Sequence, residues 1–457
     1  MAAVVAEAPS AENPPSGHQT AGAVPVHRVL RFELVKQFSP WRTRLLILIC
    51  WLGPAIVVIG IDQQANLPSD TLFGRELHAT AWAAPLVALG FSGTWGLPLI
   101  TSLVAGDVFA SEDRLGTWRH LLVAVRSHRR IFAAKALASL SVIVLLVAGL
   151  IASSLVGGLI AAGSHPLIGL DGHTLAAGDA AGRILLAWAC ALAPTLALAG
   201  IGLLGSVALG RSPMGLLLPV IVGLGMQVAQ MLPLPVAVRL ALPGYAFISW
   251  NGLFAEPEQL SPLLIGVAVS LIWAAAATAL AYLLFVRRDF TNLTHDGSGR
   301  KALAMGALPL IGVFALCAGV IAGATGATGS GIDQAGLQRS LATEFAHLYR
   351  LQEQQLHRPP VTETQLQASA SCVKAEGLSA QEGPGDDWRC TVSWHVPGAA
   401  LTGQAIYQLD VTPNGRYIAD GDGPKEVNGY FLVHTADGDV PNPLWQFDGN
   451  VDLLATP

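Results

Sequence analysis

At 457 residues, with 52% hydrophobic residues, 12% charged residues and a mean hydropathy of +0.51, the chain is too apolar for an ordinary soluble protein. A soluble domain carries about 25% charged residues, so most of this chain is solvated by lipid. The net charge of -5 excludes a nucleic-acid footprint, because the basic residues flank apolar runs rather than forming one face of a folded domain.

Residues 1–26 are rich in Ala, Pro, Ser and Gly, lack a basic n-region and an apolar h-region, and read as a disordered cytoplasmic tail. Over 27–42, Leu30, Leu34 and Phe38 recur at spacings of four among Arg28, Arg31 and Lys36, which predicts an amphipathic helix ended by Ser39-Pro40. It lies in the membrane interface or packs on the bundle. Apolar runs follow near 45–61, 81–104, 131–160, 184–209, 214–232, 263–285 and 303–323. Each reaches or approaches the roughly 20 residues of a transmembrane helix. Between the fifth and sixth, residues 233–261 are apolar but broken by Pro and Gly, which predicts a re-entrant segment with Tyr245 and Trp250 at headgroup level.

Orientation follows from the basic residues. Arg28, Arg126, Arg129, Arg130, Lys135, Arg211, Arg287, Arg288, Arg300 and Lys301 lie in alternate connections, whereas the opposite short loops hold only Arg75, Arg183 and Arg239. The positive-inside rule places the N-terminus in the cytoplasm of a bacterial-type plasma membrane, and seven spans carry the C-terminus outside. Residues 333–457 read as a small α+β domain. Leu337, Leu341, Phe345 and Leu348 mark a helix; alternation through Trp388–Val396 and Tyr407–Val411 marks strands, and Pro413-Asn414-Gly415 marks a hairpin turn. One further strand is expected near Tyr430–Val433, and the rest of the tail as loop. Cys372 and Cys390, on the oxidising side, are expected to form a disulfide.

No catalytic constellation, His-x-x-x-His pair, cluster of Cys and His or phosphate-binding Gly-x4-Gly-Lys-Ser/Thr loop is present. The cores of the apolar runs contain no Asp, Glu, Lys or Arg, which disfavours ion coupling inside the bundle and points to energy entering from outside it. The place to enter is residues 107–135, the one long charged segment between apolar runs. It reads Glu112-Asp113-Arg114-Leu115-Gly116-Thr117-Trp118, then Leu121-Leu122, Ser127-His128-Arg129-Arg130 and Lys135.

In that order the segment resembles the coupling region of the transmembrane subunit of ABC-2 type exporters, the membrane half of an ATP-binding-cassette transporter. Val125 and His128 depart from the family pattern, where Pro and Arg are common. The resemblance covers about 28–290. It implies a six-span core over 43–290 with a coupling helix at about 107–130, leaving the span at 303–323 and the C-terminal domain outside the pattern. It further implies that Glu112, Asp113, Arg114, Gly116, Thr117, Ser127, Arg129 and Lys135 couple the bundle to a separate ABC ATPase on the cytoplasmic face. That partner would hold the ATP and Mg, with no cofactor in this chain, and the permease would form a homodimer or heterodimer. The expected cargo is an amphipathic or lipid-linked compound. The alternative is a non-transporting scaffold or sensor that displays the C-terminal domain outside the cell.

Overall fold

The computed structural model describes residues 24–63, 71–210, 213–288, 290, 299–326, 329–374, 381–398, 400–435 and 438–454; the expected tail over residues 1–23 lies outside them. Among the described residues, six helical segments are long and apolar enough to cross a membrane, which marks a multi-pass membrane protein. They are α2 (Trp41–Asp62), the pair α3 (Ala83–Phe91) and α4 (Leu97–Ala105), α7 (His128–Ala161), α8 (Ala177–Leu209), α11 (Leu260–Arg287) and α12 (Gly299–Thr325). A π-turn at Ser92–Gly96 joins α3 to α4.

The run expected as a fifth span forms α9 (Pro213–Met231), whose apolar stretch Gly215–Met231 is shorter than the six. It lies along α4 and α8: Gly223 abuts Pro98, and Gly215 abuts the backbone of Gly205.

The helices approach closely where side chains are small. On α7, Gly149, Ser153 and Gly157 recur at spacings of four and face α2. A Cβ at Gly149 would lie 2.4 Å from the Trp51 ring, and one at Gly157 would lie 2.7 Å from Cα of Ala55. Ser153 Oγ accepts the Ala55 N–H at 3.0 Å. Lipid chains are as apolar as Leu, so such close packing and hydrogen bonding hold helices together where burial from water does not.

Preceding α2 is α1 (Val26–Phe38), ended at Ser39-Pro40. It packs on α7, and its buried residues are Val29 and Glu33, while Phe32 and Val35 stay exposed. The face turned to the bundle is thus centred on an acid rather than on Leu30, Leu34 and Phe38.

Residues 233–259 form α10 (Val236–Leu240) and two short 3-10 turns, Pro243–Phe247 and Ser249–Phe254. Tyr245 and Trp250, expected at headgroup level, are 3% exposed, so their rings pack against protein. Trp250 stacks on Phe73, meets Phe254 edge-on and donates to the Phe247 carbonyl at 2.8 Å. The C-terminal region caps this segment, a cover that the local sequence does not reveal.

In that region α13 (Gln334–Gln355) packs Leu337, Leu341 and Phe345 against a five-stranded antiparallel sheet. A hairpin, β1 (Leu167–Ile168) with β2 (Thr174–Leu175), precedes α8. The main sheet has order β3 (Ser369–Lys374), β4 (Gly385–His395), β5 (Thr402–Val411), β6 (Arg416–Gly421) and β9 (Gln446–Asn450). The alternating residues Trp388, Cys390, Val392, Tyr407, Leu409 and Val411 point inward as expected. Gly415, at φ 89°, takes the left-handed position of the β5–β6 turn. Cys372 and Cys390 sit opposite each other in the β3–β4 register and are disulfide-bonded, with a Cα–Cα distance of 4.0 Å. The strand expected near Tyr430–Val433 is β7 (Leu432–Thr435), paired with β8 (Gly438–Pro441). β9 was expected as loop, yet it forms the edge of the main sheet beside β6.

Candidate functional site

Residues 107–127 fold as two short helices, α5 (Ala110–Leu115) and α6 (Trp118–Val125), at the end of the bundle where α1 and α7 begin. The first free amides of α5, from Phe109 and Ala110, donate to Ser206 Oγ of α8 at 3.0 and 2.9 Å. Gly116 ends α5 in the left-handed region at φ 66°, which a Cβ would strain. The next residue turns back: Thr117 Oγ1 donates to the Glu112 carboxylate, and its backbone N–H donates to the Glu112 carbonyl at 3.2 Å. The Gly-Thr pair therefore serves as a hinge with a latch.

Three acids of this segment are drawn inward. Glu112, 1% exposed, receives the Lys135 ammonium at 2.6 Å and is also paired with Lys36 of α1. Lys135, equally buried, reaches Glu33 of α1 at 3.0 Å. Asp113 takes both Nη atoms of Arg288 at 2.8 Å each, and the Trp118 indole N–H at 2.8 Å. Asp107 accepts from Arg42 at 2.6 Å and from Arg114. Trp118 is fully buried among Phe109, Phe285 and Phe290. Burial acts to raise the Glu112 carboxyl, but Lys135, Lys36 and Thr117 outweigh it and lower the pKa to about 2.

The expected coupling residues thus divide. Glu112, Asp113 and Lys135 are interior and paired within the chain, and Thr117 latches onto Glu112. Gly116 makes the turn; Arg114 and Arg129 are exposed, and Ser127 is half-buried in extended backbone before α7. Val125, one of the two departures from the family pattern, is buried at the end of α6. Glu33, Lys36, Arg42 and Arg288 complete the cluster and were not expected in it. Their signal in the sequence is faint: an acid amid the basic residues of α1, and an arginine closing α11.

The outward face is different in character. Leu115 and Val123 are 67% and 71% exposed, and Arg119, His120, Arg126 and Arg129 surround them on the surface. Beside it, α1 and α6 enclose a groove of about 430 Å³ lined by Val29, Phe32, Leu121 and Val125. The surface can receive an apolar, acid-rimmed partner.

The opposite end carries the C-terminal sheet. Arg239, 1% exposed, donates to the carbonyls of Pro413 and Ser330, the latter at 2.8 Å. Asn450 donates to Gln259 at 2.6 Å. Asp171, at the tip of the β1–β2 hairpin, faces His347 and Glu344 of α13. All three are buried, and one donor atom from each lies within 4.8 Å of the others, the one such His, Cys, Asp or Glu group among the described residues. The spacing of Glu344 and His347, three residues apart on α13, was its one sign in the sequence, since Asp171 lies far from both along the chain.

Compared with protein-family models, with curated proteins and with solved structures, the chain matches none.

Proposed function

We propose that this chain is the permease subunit of an ABC-2 type exporter, driven by ATP hydrolysed on a separate ATPase that docks on the α5–α6 face. The observation that carries this reading is the build of that face. It is rigidly fastened on its inner side and open on its outer side. Glu112 ties it to α1 and α7, Asp113 ties it to the end of α11, and Ser206 ties it to α8. A push on Leu115 or Val123 therefore reaches α1 and three bundle helices through ion pairs and hydrogen bonds rather than through a flexible loop. The order of motif residues from Glu112 to Lys135 supports the same assignment.

In this reading the end with α5 and α6 is cytoplasmic, two copies of the chain assemble, and ATP and Mg belong to the partner. The bundle also holds an apolar cavity of about 260 Å³, lined by Ile201, Leu204, Leu218, Val222, Trp273 and Phe314. Such walls favour the acyl or isoprenoid part of an amphipathic or lipid-linked cargo. The second reading, a membrane sensor, draws support from the firm docking of the C-terminal domain through Arg239 and Asn450.

Co-expression with a panel of ATP-binding-cassette ATPases separates the two. The transporter reading expects a stable complex that Val123→Asp abolishes while the variant still folds. A sensor would purify without an ATPase.

A further inference from the structure

We propose that Asp171, Glu344 and His347 bind one divalent transition-metal ion, zinc by ligand type, which clamps the β1–β2 hairpin to α13. The proposal stands apart from the transport reading.

Glu344 and His347 are three residues apart and share one face of α13. That face meets Asp171, and the three residues are 5%, 5% and 1% exposed. His347 Nδ1 lies 3.2 Å from Asp171 Oδ2 yet has no hydrogen-bond partner. Two ligands on a tetrahedral zinc with bonds of about 2.0–2.2 Å stand about 3.3–3.6 Å apart, so a small opening of that separation admits the ion. Glu344 Oε2 is also buried and unpartnered. A proton on it would find no acceptor, whereas a cation would draw together ligand atoms that already stand within 4.8 Å of one another.

The outer contacts suit the same ion. His347 Nε2 lies 3.1 Å from Glu363 Oε1, which also takes Arg350 at 3.0 Å. With its proton on Nε2 and donated to Glu363, the ring turns the lone pair of Nδ1 inward, the arrangement that carboxylate-backed histidine ligands use. Asp171 is held by the Glu256 N–H at 2.7 Å and by His173. One imidazole with two carboxylates selects zinc or a neighbouring transition ion, because calcium and magnesium prefer all-oxygen shells.

The test uses the full chain in detergent, without an affinity tag, stripped with chelator and titrated with Co²⁺ and then Zn²⁺. The expected result is one Co²⁺ per chain, seen in its visible absorption and displaced by Zn²⁺. Glu344→Gln and His347→Asn should abolish it. Glu363→Gln, on a half-exposed side chain outside the ligand set, should weaken it by about 10–100-fold. His434→Ala, on the distant β7 strand, should leave it unchanged. Absence of saturable binding to the wild type overturns the site, as does binding that neither Glu363→Gln nor Glu344→Gln alters.

Discussion

Replacing Lys135 by Met tests the inner fastening of α5. The ammonium of Lys135 is shared by Glu33 at 3.0 Å and Glu112 at 2.6 Å, and all three side chains are about 1% exposed. Methionine fills nearly the same space without the charge. It leaves two carboxylates buried, with Lys36, a third exposed, as the remaining cation. Breaking a buried ion pair from one side costs about 3–5 kcal/mol. The direction agrees at Glu112, whose carboxyl is lowered to about 2 by Lys135, Lys36 and Thr117 against the effect of burial. Glu112→Gln should cost less, about 1–3 kcal/mol, since Lys135 keeps Glu33. The assay is unfolding in mixed micelles titrated with a denaturing detergent, run on the wild type, both single variants and the double variant. The cycle should return a coupling of about 1–3 kcal/mol. A Lys135→Met midpoint equal to the wild type, or a coupling near zero, refutes the fastening.

The same cluster fixes a pH dependence. Glu112 is lowered in the folded chain, so its contribution is complete above pH 4.5 and is lost as pH falls toward about 2. The unfolding midpoint should decline through that window, and Glu112→Gln should flatten the decline. On α7, Gly157→Leu would press a side chain into the Ala55 backbone. It should lower stability by about 1–3 kcal/mol and separate α2 from α7, read as a new crosslinking pattern between cysteines placed on the two helices. Thiol labelling of the unfolded, unreduced chain should modify Cys50, Cys190 and Cys317 but not Cys372 or Cys390. Reduction should expose the pair and cost about 3 kcal/mol by loop-closure entropy.

Hydropathy located the helices because lipid solvation demands long apolar runs, and it placed α7 and α8 to within a turn or two. Period-two alternation found β4 and β5 for the same kind of reason, since one face of each strand meets α13. What failed was non-local. The segment Gln446-Phe-Asp-Gly-Asn450 carries one strong strand former, and it is a strand because β6 offers it a free edge. Tyr245 and Trp250 looked interfacial only because the cover laid over them by the C-terminal region is distant in sequence.

At the candidate site, the motif marked the charged segment but not the direction in which its charges turn. Glu112 and Asp113 face Lys135 and Arg288 inside the chain, a fact set by the packing of α1 and α11. Of the residues turned outward, Leu115 and Val123 attract no notice in a list of charges. Their exposure is the information that the fold adds. As a set of three, Asp171, Glu344 and His347 were beyond reach of spacing rules, because they meet only when the domain docks.

In the proposed function an ATPase drives this bundle through the outer face of α5 and α6. ATP hydrolysis by the co-purified partner in lipid vesicles, with the wild-type chain and with Arg119→Glu/Val123→Asp, tests this. Hydrolysis should depend on the wild-type chain and fall to the level of the isolated ATPase with the variant, at an unchanged unfolding midpoint. Equal hydrolysis with both chains would contradict it, as would an ATPase that assembles elsewhere on the bundle.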